Sequence, residues 1–159
     1  MKHTSHNNNR AIGMLLWSIA LPGFGQLLNH KYIKGLTLIT LELIVNVLGN
    51  LNHVIILSFH GHIEEAIEQT NYPWLMFYPC LYFFAMWDAY KDGGGGRSDF
   101  AYLPLACSAY VVTVGLIYSP VFSIGGQLFG PVWLSIIFVP IGLGLGIVVR
   151  WLLLEFLSG

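Results

Sequence analysis

Four side chains in the second apolar stretch of this 159-residue chain are fit for chemistry: Glu42, Asn46, Asn50 and His53, at spacings of four, four and three. In a helix that progression keeps them on one face. A carboxylate, two amides and an imidazole in file can relay protons or cations, or line a polar cavity that grips a headgroup or small substrate. They can equally hold helices together, at about 0.6–2 kcal/mol per interhelical hydrogen bond. Three of the four are neutral or nearly so at pH 7, which favours the packing role. In either role an ionisable group within hydrocarbon is costly unless partnered. The stripe is therefore expected to face protein or water.

Other chemistry-bearing residues are scattered. Asp88, in Ala-Met-Trp-Asp-Ala-Tyr-Lys-Asp, is placed to pair with Lys31 or Lys34, as a structural clamp rather than a catalytic acid. His60, His62, Glu64 and Glu65 are metal-ligand types, as are His3 and His6. No rigid element fixes their geometry, so no metal site is expected. Cys80 and Cys107 lie inside apolar runs and imply no disulfide framework. No phosphate-binding Gly loop ending in Lys-Ser/Thr, no His-Glu-x-x-His and no Gly-x-Ser-x-Gly is present. Gly93–Gly96 precedes Arg97-Ser98 but follows no strand, so it is no phosphate cradle. No cofactor and no enzymatic activity are expected. A net charge of −1 offers no argument for nucleic acid.

The elements that carry these groups are apolar blocks. At 55% hydrophobic and 9% charged, the chain departs from soluble domains, where about 25% charged is usual. The blocks are 11–28, 36–59, 73–90, 101–122 and 131–153. A membrane span needs about 20 residues at about 1.5 Å each, so the last four qualify. The first, of 18 residues, is marginal because Pro22 and Gly23 interrupt it. It either spans with a kink or dips in and returns. The reading divides the chain into a polar tail 1–10, a hairpin 11–60, an acidic outer loop with a third helix 61–92, a flexible Gly-rich linker 93–100, and a helix pair 101–159. Lys2 and Arg10 before an apolar run look like a signal peptide, but the run before Ser18-Ile19-Ala20 is short and no cleavage is expected.

Charge sets the orientation. If the last four blocks span, Lys31, Lys34, Lys91, Arg97 and Arg150 fall on one side, and the loop 60–72, with Glu64, Glu65 and Glu68 but no Lys or Arg, falls on the other. The positive-inside rule makes the hairpin loop and the C-terminus cytoplasmic. A re-entrant first segment would bring Lys2 and Arg10 inside as well, and the charge count leans that way. In the fifth block Gly142 and Gly146 form a Gly-x-x-x-Gly pair, suited to close helix contact within or between chains.

The connection between the first two blocks is the densest run of backbone-special residues. Pro22 removes a donor. Gly23 and Gly25 allow unusual backbone angles or close helix approach. Gln26 and Asn29 carry amides able to bond carbonyls released by the break. Lys31 and Lys34 flank the interfacial Tyr32, and Gly35 closes the unit.

Pro22-Gly23-x-Gly25-Gln26, Asn29 and Lys34-Gly35 together resemble the bacterial branch of the two-transmembrane domain family, whose hairpins carry P-G-x-G-Q-x-x-N-x-x-x-x-K-G. The resemblance covers about residues 11–60. Leu28 stands where such motifs often have an aromatic residue. The family has no settled biochemical activity, so the resemblance implies architecture: a helical hairpin in a bacterial cytoplasmic membrane. The fold expected is all-α, with four transmembrane helices after a Pro/Gly-broken re-entrant or short spanning helix. The function expected is that of a non-enzymatic scaffold, assembly factor or accessory subunit, with membrane lipid and another membrane protein or a second copy as partners. The alternative is a transporter or proton-coupled carrier using the Glu42 stripe.

Overall fold

The computed structural model describes residues 2–158, with side chains from Asn9 to Leu157. The side chains of Lys2, His3 and His6 lie outside the described residues. Helix accounts for 77% of the chain. Among the described residues, two helices are long and apolar enough to cross a membrane, Tyr32–Gly49 and Gly130–Leu157, and Leu103–Tyr118 is apolar but shorter.

Helix α1 runs from Lys2 to Ala20, straight through the polar tail. It stops because Pro22 has no amide hydrogen to continue the ladder and Gly23 turns the chain at φ +103°. A single short helix, α2 (Phe24–Leu28), follows. It closes in a Schellman turn: His30, at φ +60°, donates to Leu27 O, and Lys31 donates to Gln26 O.

The second apolar block is not one helix. Helix α3 (Tyr32–Gly49) ends at Asn50, which adopts φ +58°, and α4 (Leu51–Phe59) sets off from there. Asparagine tolerates the left-handed region better than most residues, and its amide donates to Gln69 O at 3.0 Å, which fixes the turn. The third block is also split, into α6 (Tyr72–Leu75) and α7 (Phe77–Asp92), with α5 (Ile63–Glu68) before them. Pro79 explains the split, since it cannot donate to the Leu75 carbonyl and its ring crowds that oxygen.

Gly93–Gly96, expected to be a flexible linker, folds back on α7. Gly94 and Gly95 donate to Lys91 O and Tyr90 O. A methyl on Gly95 would lie 2.4 Å from the Tyr90 ring, and one on Gly96 2.5 Å from the Trp87 ring. Glycine here lets backbone rest on aromatic faces. Helix α8 (Leu103–Tyr118) then leads to a two-residue-strand hairpin, β1 (Ser123–Ile124) and β2 (Gln127–Leu128), turned by Gly125 and Gly126. Helix α9 (Gly130–Ser158) completes the chain and continues through Pro140.

Helix α7 is the hub, with α1, α2, α3 and α8 packed around it. Phe83, Met86 and Val112 form the core between α7 and α8. Leu51, Leu75 and Leu116 form a second cluster, and Val54, Leu57 and Ala66 a third. Helices α8 and α9 run antiparallel in close contact. A methyl on Gly142 would meet Ser108 Cα at 2.5 Å, and one on Gly146 would meet Pro104 Cα at 2.4 Å. The Gly-x-x-x-Gly pair is used within the chain.

The ends of the bundle differ in charge. At one end Ala11 lies against Gly93, Lys34 bonds Asp88 and Asp92, and Arg150 bonds Ser98 and Asp99. Lys31, Lys91 and Arg97 belong to the same end. At the other, Gly130 lies against Ile63, and the Trp133 indole donates to Ser58 O. That end carries Glu64, Glu65 and Glu68 and, among the described residues, no Lys or Arg.

Candidate functional site

Of the residues that sequence reasoning clustered in 22–35, Gly25, Gln26, Asn29 and Lys34 converge on one face of α7. Ala85, Asp88, Ala89 and Asp92 follow spacings of three, one and three, which makes one helical stripe. Gln26 Nε2 donates to Ala85 O at 2.8 Å and to Asp88 Oδ2 at 3.0 Å. Asn29 Nδ2 donates to Ala89 O at 2.9 Å. Lys34 Nζ reaches Asp88 Oδ1 at 2.7 Å and Asp92 Oδ2 at 3.1 Å. Asp88 thus accepts from an amide and an ammonium at once. Lys31 makes no ion pair among the described residues.

The amides were expected to bond carbonyls released at the Pro22 break. They bond α7 instead. The break is stitched by its own turn, with Phe24 donating to Leu21 O and Leu27 to Gly23 O. Helical carbonyls on α7 keep a second lone pair for the incoming amides.

The glycines set the approach distance. A methyl on Gly25 would lie 2.3 Å from Ser18 Oγ and 2.6 Å from Ala89 Cβ. One on Gly23 would lie 2.5 Å from Gly35 O, and one on Gly35 2.5 Å from Leu27 Cδ2. Gln26 and Ser18 are fully enclosed, and Asn29 nearly so. Among the described residues, Ser18 Oγ, Gln26 Oε1 and Asn29 Oδ1 have no hydrogen-bond partner. The amides face α7 through their NH₂ ends only.

Together these contacts define a hairpin that goes out and comes back. Ala11 lies at the Gly93 end of α7, and Ile19 O accepts from the Tyr82 hydroxyl eleven residues nearer the other end. Asn29 and Lys34 are again at Ala89 and Asp92. From Ala11 to Ala20 the helix advances about 14 Å, at about 1.5 Å per residue.

The polar stripe of the second block is shorter than its spacing promised. Glu42 is 4% exposed. Asn46 Nδ2 donates to Glu42 Oε1 and to Asn52 Oδ1, each at 3.3 Å. Tyr78 on α7 lies within electrostatic reach of Glu42. The turn at Asn50 takes His53 off this face and leaves it exposed. Asn52 takes its place; its six-residue separation from Asn46 fits no helical face and gives no signal in the sequence. Asp92, four residues after Asp88, was the more readable omission. His60, His62, Glu64 and Glu65 are exposed on the acidic end, and no group of three metal-ligating side chains assembles among the described residues.

No family model, curated protein or solved structure matches this chain.

The site is therefore read from its geometry alone. It is a clamp in which two amides and one ammonium from the hairpin grip two carbonyls and two carboxylates of α7. It provides positioning and charge neutralisation. Its polar donors face inward to α7, and its glycines leave no room between the helices for a ligand.

Proposed function

We propose that this chain is a small polytopic protein of a bacterial cytoplasmic membrane, with four spans after a re-entrant hairpin, and that it acts by helix packing as a scaffold, assembly factor or accessory subunit. The spans are α3–α4, α6–α7, α8 and α9. The observation that carries the membrane reading is exposure: the most apolar windows of α3 and α9 are only 28% and 17% buried. A core helix of a soluble protein hides such a surface. The basic end faces the cytoplasm by the positive-inside rule, as does the hairpin with its resemblance to the two-transmembrane domain motif.

The packing role is supported by the clamp, since the motif's polar groups are engaged within the chain. The test has two parts. Carbonate-washed membranes should retain the chain, and removing it from cells should lower the abundance of a membrane protein that co-elutes with it in mild detergent. Unchanged abundance of every co-eluting membrane protein would sink the packing role.

One observation favours a second reading. Glu42 is buried and has no ion-pair partner among the described residues, only Asn46 as donor. A carboxylate so placed suits a proton or cation carrier. Proton or cation flux in liposomes that is lost in Glu42→Gln would establish that reading over the first.

A further inference from the structure

Between α4, α7, α8 and α9 lies an apolar cleft of about 330 Å³, walled by Leu51, Ile55, Tyr82, Leu116, Ile136 and Val139 among others. That volume falls within the range of about 300–1,000 Å³ seen for small-molecule sites. The cleft has a structural origin. The turn at Asn50 sends α4 towards α9, where Trp133 bonds Ser58 O, while α3 stays on α7.

Its walls carry three hydroxyls, those of Tyr78, Tyr82 and Ser135, and the last two are engaged. The Ser135 hydroxyl donates to Pro131 O at 2.6 Å, and the Tyr82 hydroxyl donates to Ile19 O. Water needs two to four polar partners to settle in a cavity, and among the described residues the uncommitted Tyr78 hydroxyl offers one. Left void, the walls would forfeit dispersion contacts along their whole length. Hydrocarbon fills such a space, and a membrane supplies it.

The charge above the cleft narrows the choice. Phe59 and Pro131 form its end towards the acidic face. Just beyond them, residues 61–65, 68 and 126–128 surround a polar hollow of about 560 Å³, with Glu64, Glu65 and Glu68 on its rim and no Lys or Arg. Three carboxylates repel an anionic headgroup and attract an ammonium.

We propose that the cleft holds one acyl chain of a phospholipid from the acidic-end leaflet, with its amine-bearing zwitterionic headgroup against Glu64, Glu65 and Glu68. The proposal rests on the membrane reading above. Its test uses the full chain, reconstituted in vesicles of equal phosphatidylethanolamine and phosphatidylglycerol, extracted in mild detergent and weighed intact by native mass spectrometry. One phosphatidylethanolamine per chain should be retained, about tenfold over phosphatidylglycerol. Ile55→Trp and Ile136→Trp place an indole in the cleft from α4 and from α9. Ile136 is 49% exposed, so its variant fills the mouth without straining the core. Each should reduce retention about tenfold at unchanged helicity.

A membrane-inserted chain that retains no lipid overturns this proposal alone. So does equal retention of phosphatidylglycerol, or undiminished retention in both folded variants. Recovery of the chain in the soluble fraction overturns the membrane reading, and this proposal with it.

Discussion

The Tyr82 hydroxyl donates to the Ile19 carbonyl at the inner end of α1, and this one bond marks the depth at which the first apolar segment turns back. Eight residues earlier Ala11 lies at Gly93, beside the same basic end that holds Lys34. On the membrane reading, α1 and α2 both open to the cytoplasm.

Labelling with a membrane-impermeant thiol reagent checks that arrangement. A cysteine placed at Glu65 should react in intact cells, and one at Asn9 or Ser98 only after the membrane is opened. The native cysteines Cys80 and Cys107 are first replaced by serine or alanine. Reaction of the Asn9 variant from outside would mean that α1 crosses.

Close approach at Gly25 predicts a sharp size limit. Gly25→Ala forces Ser18 and Ala89 apart and is expected to cost about 1–3 kcal/mol, the usual range for overpacking. Gly25→Leu should abolish folded yield. Thermal unfolding in detergent measures both, and native stability for the leucine variant would refute the contact.

The two carboxylates of the clamp should differ in weight. Asp88 accepts from Gln26 and Lys34, so Asp88→Ala takes one of two acceptors from the buried Gln26 amide, leaving Ala85 O, and is expected to cost about 2–3 kcal/mol with the ion pair included. Asp92 meets only the half-exposed Lys34 ammonium, and Asp92→Ala should cost about 1 kcal/mol or less. Equal losses in a chemical unfolding series would remove Gln26 from the account.

Asn50 offers a backbone test. Asn50→Gly accepts φ +58° freely but loses the amide bond to Gln69 O, so it should cost about 0.5–1.5 kcal/mol. Asn50→Ala loses the same bond and should cost about 1–2 kcal/mol more, for left-handed backbone in a residue with a Cβ. If alanine is tolerated equally, the turn is not fixed there.

The stripe separates the two functional readings. Glu42→Gln keeps a hydrogen-bonding group beside Asn46, so the packing role predicts unchanged fold and unchanged partner abundance. The carrier role predicts an intact fold with loss of flux. Circular dichroism together with a liposome assay distinguishes them.

The local half of this structure was legible in the sequence; the long-range half was not. Pro22, Gly23 and Gly25 advertise a turn and a close approach because only those residue types allow them. The face they meet is spelled Ala85, Asp88, Ala89, Asp92, and small and acidic residues at helical spacing look like any helix surface. Asn50 misled because an asparagine four residues after Asn46 continues a helical face as readily as it ends one. Gly93–Gly96 looked flexible by composition, yet its glycines are there so that backbone can lie on Tyr90 and Trp87.

The clamp also has a timetable. Gln26 and Asn29 reach partners 59 and 60 positions later in the chain. At a synthesis rate of about 5–20 residues per second, those partners emerge about 3–12 s after the hairpin does. For that interval the two amides have no α7 to bond, and the first segment cannot hold its final pose. On the membrane reading, the nascent chain is sheltered by the insertion machinery until its third apolar block arrives. Translation pauses placed between Gly35 and Phe77 would lengthen that exposure, whereas pauses after Asp92 would leave the hairpin already locked.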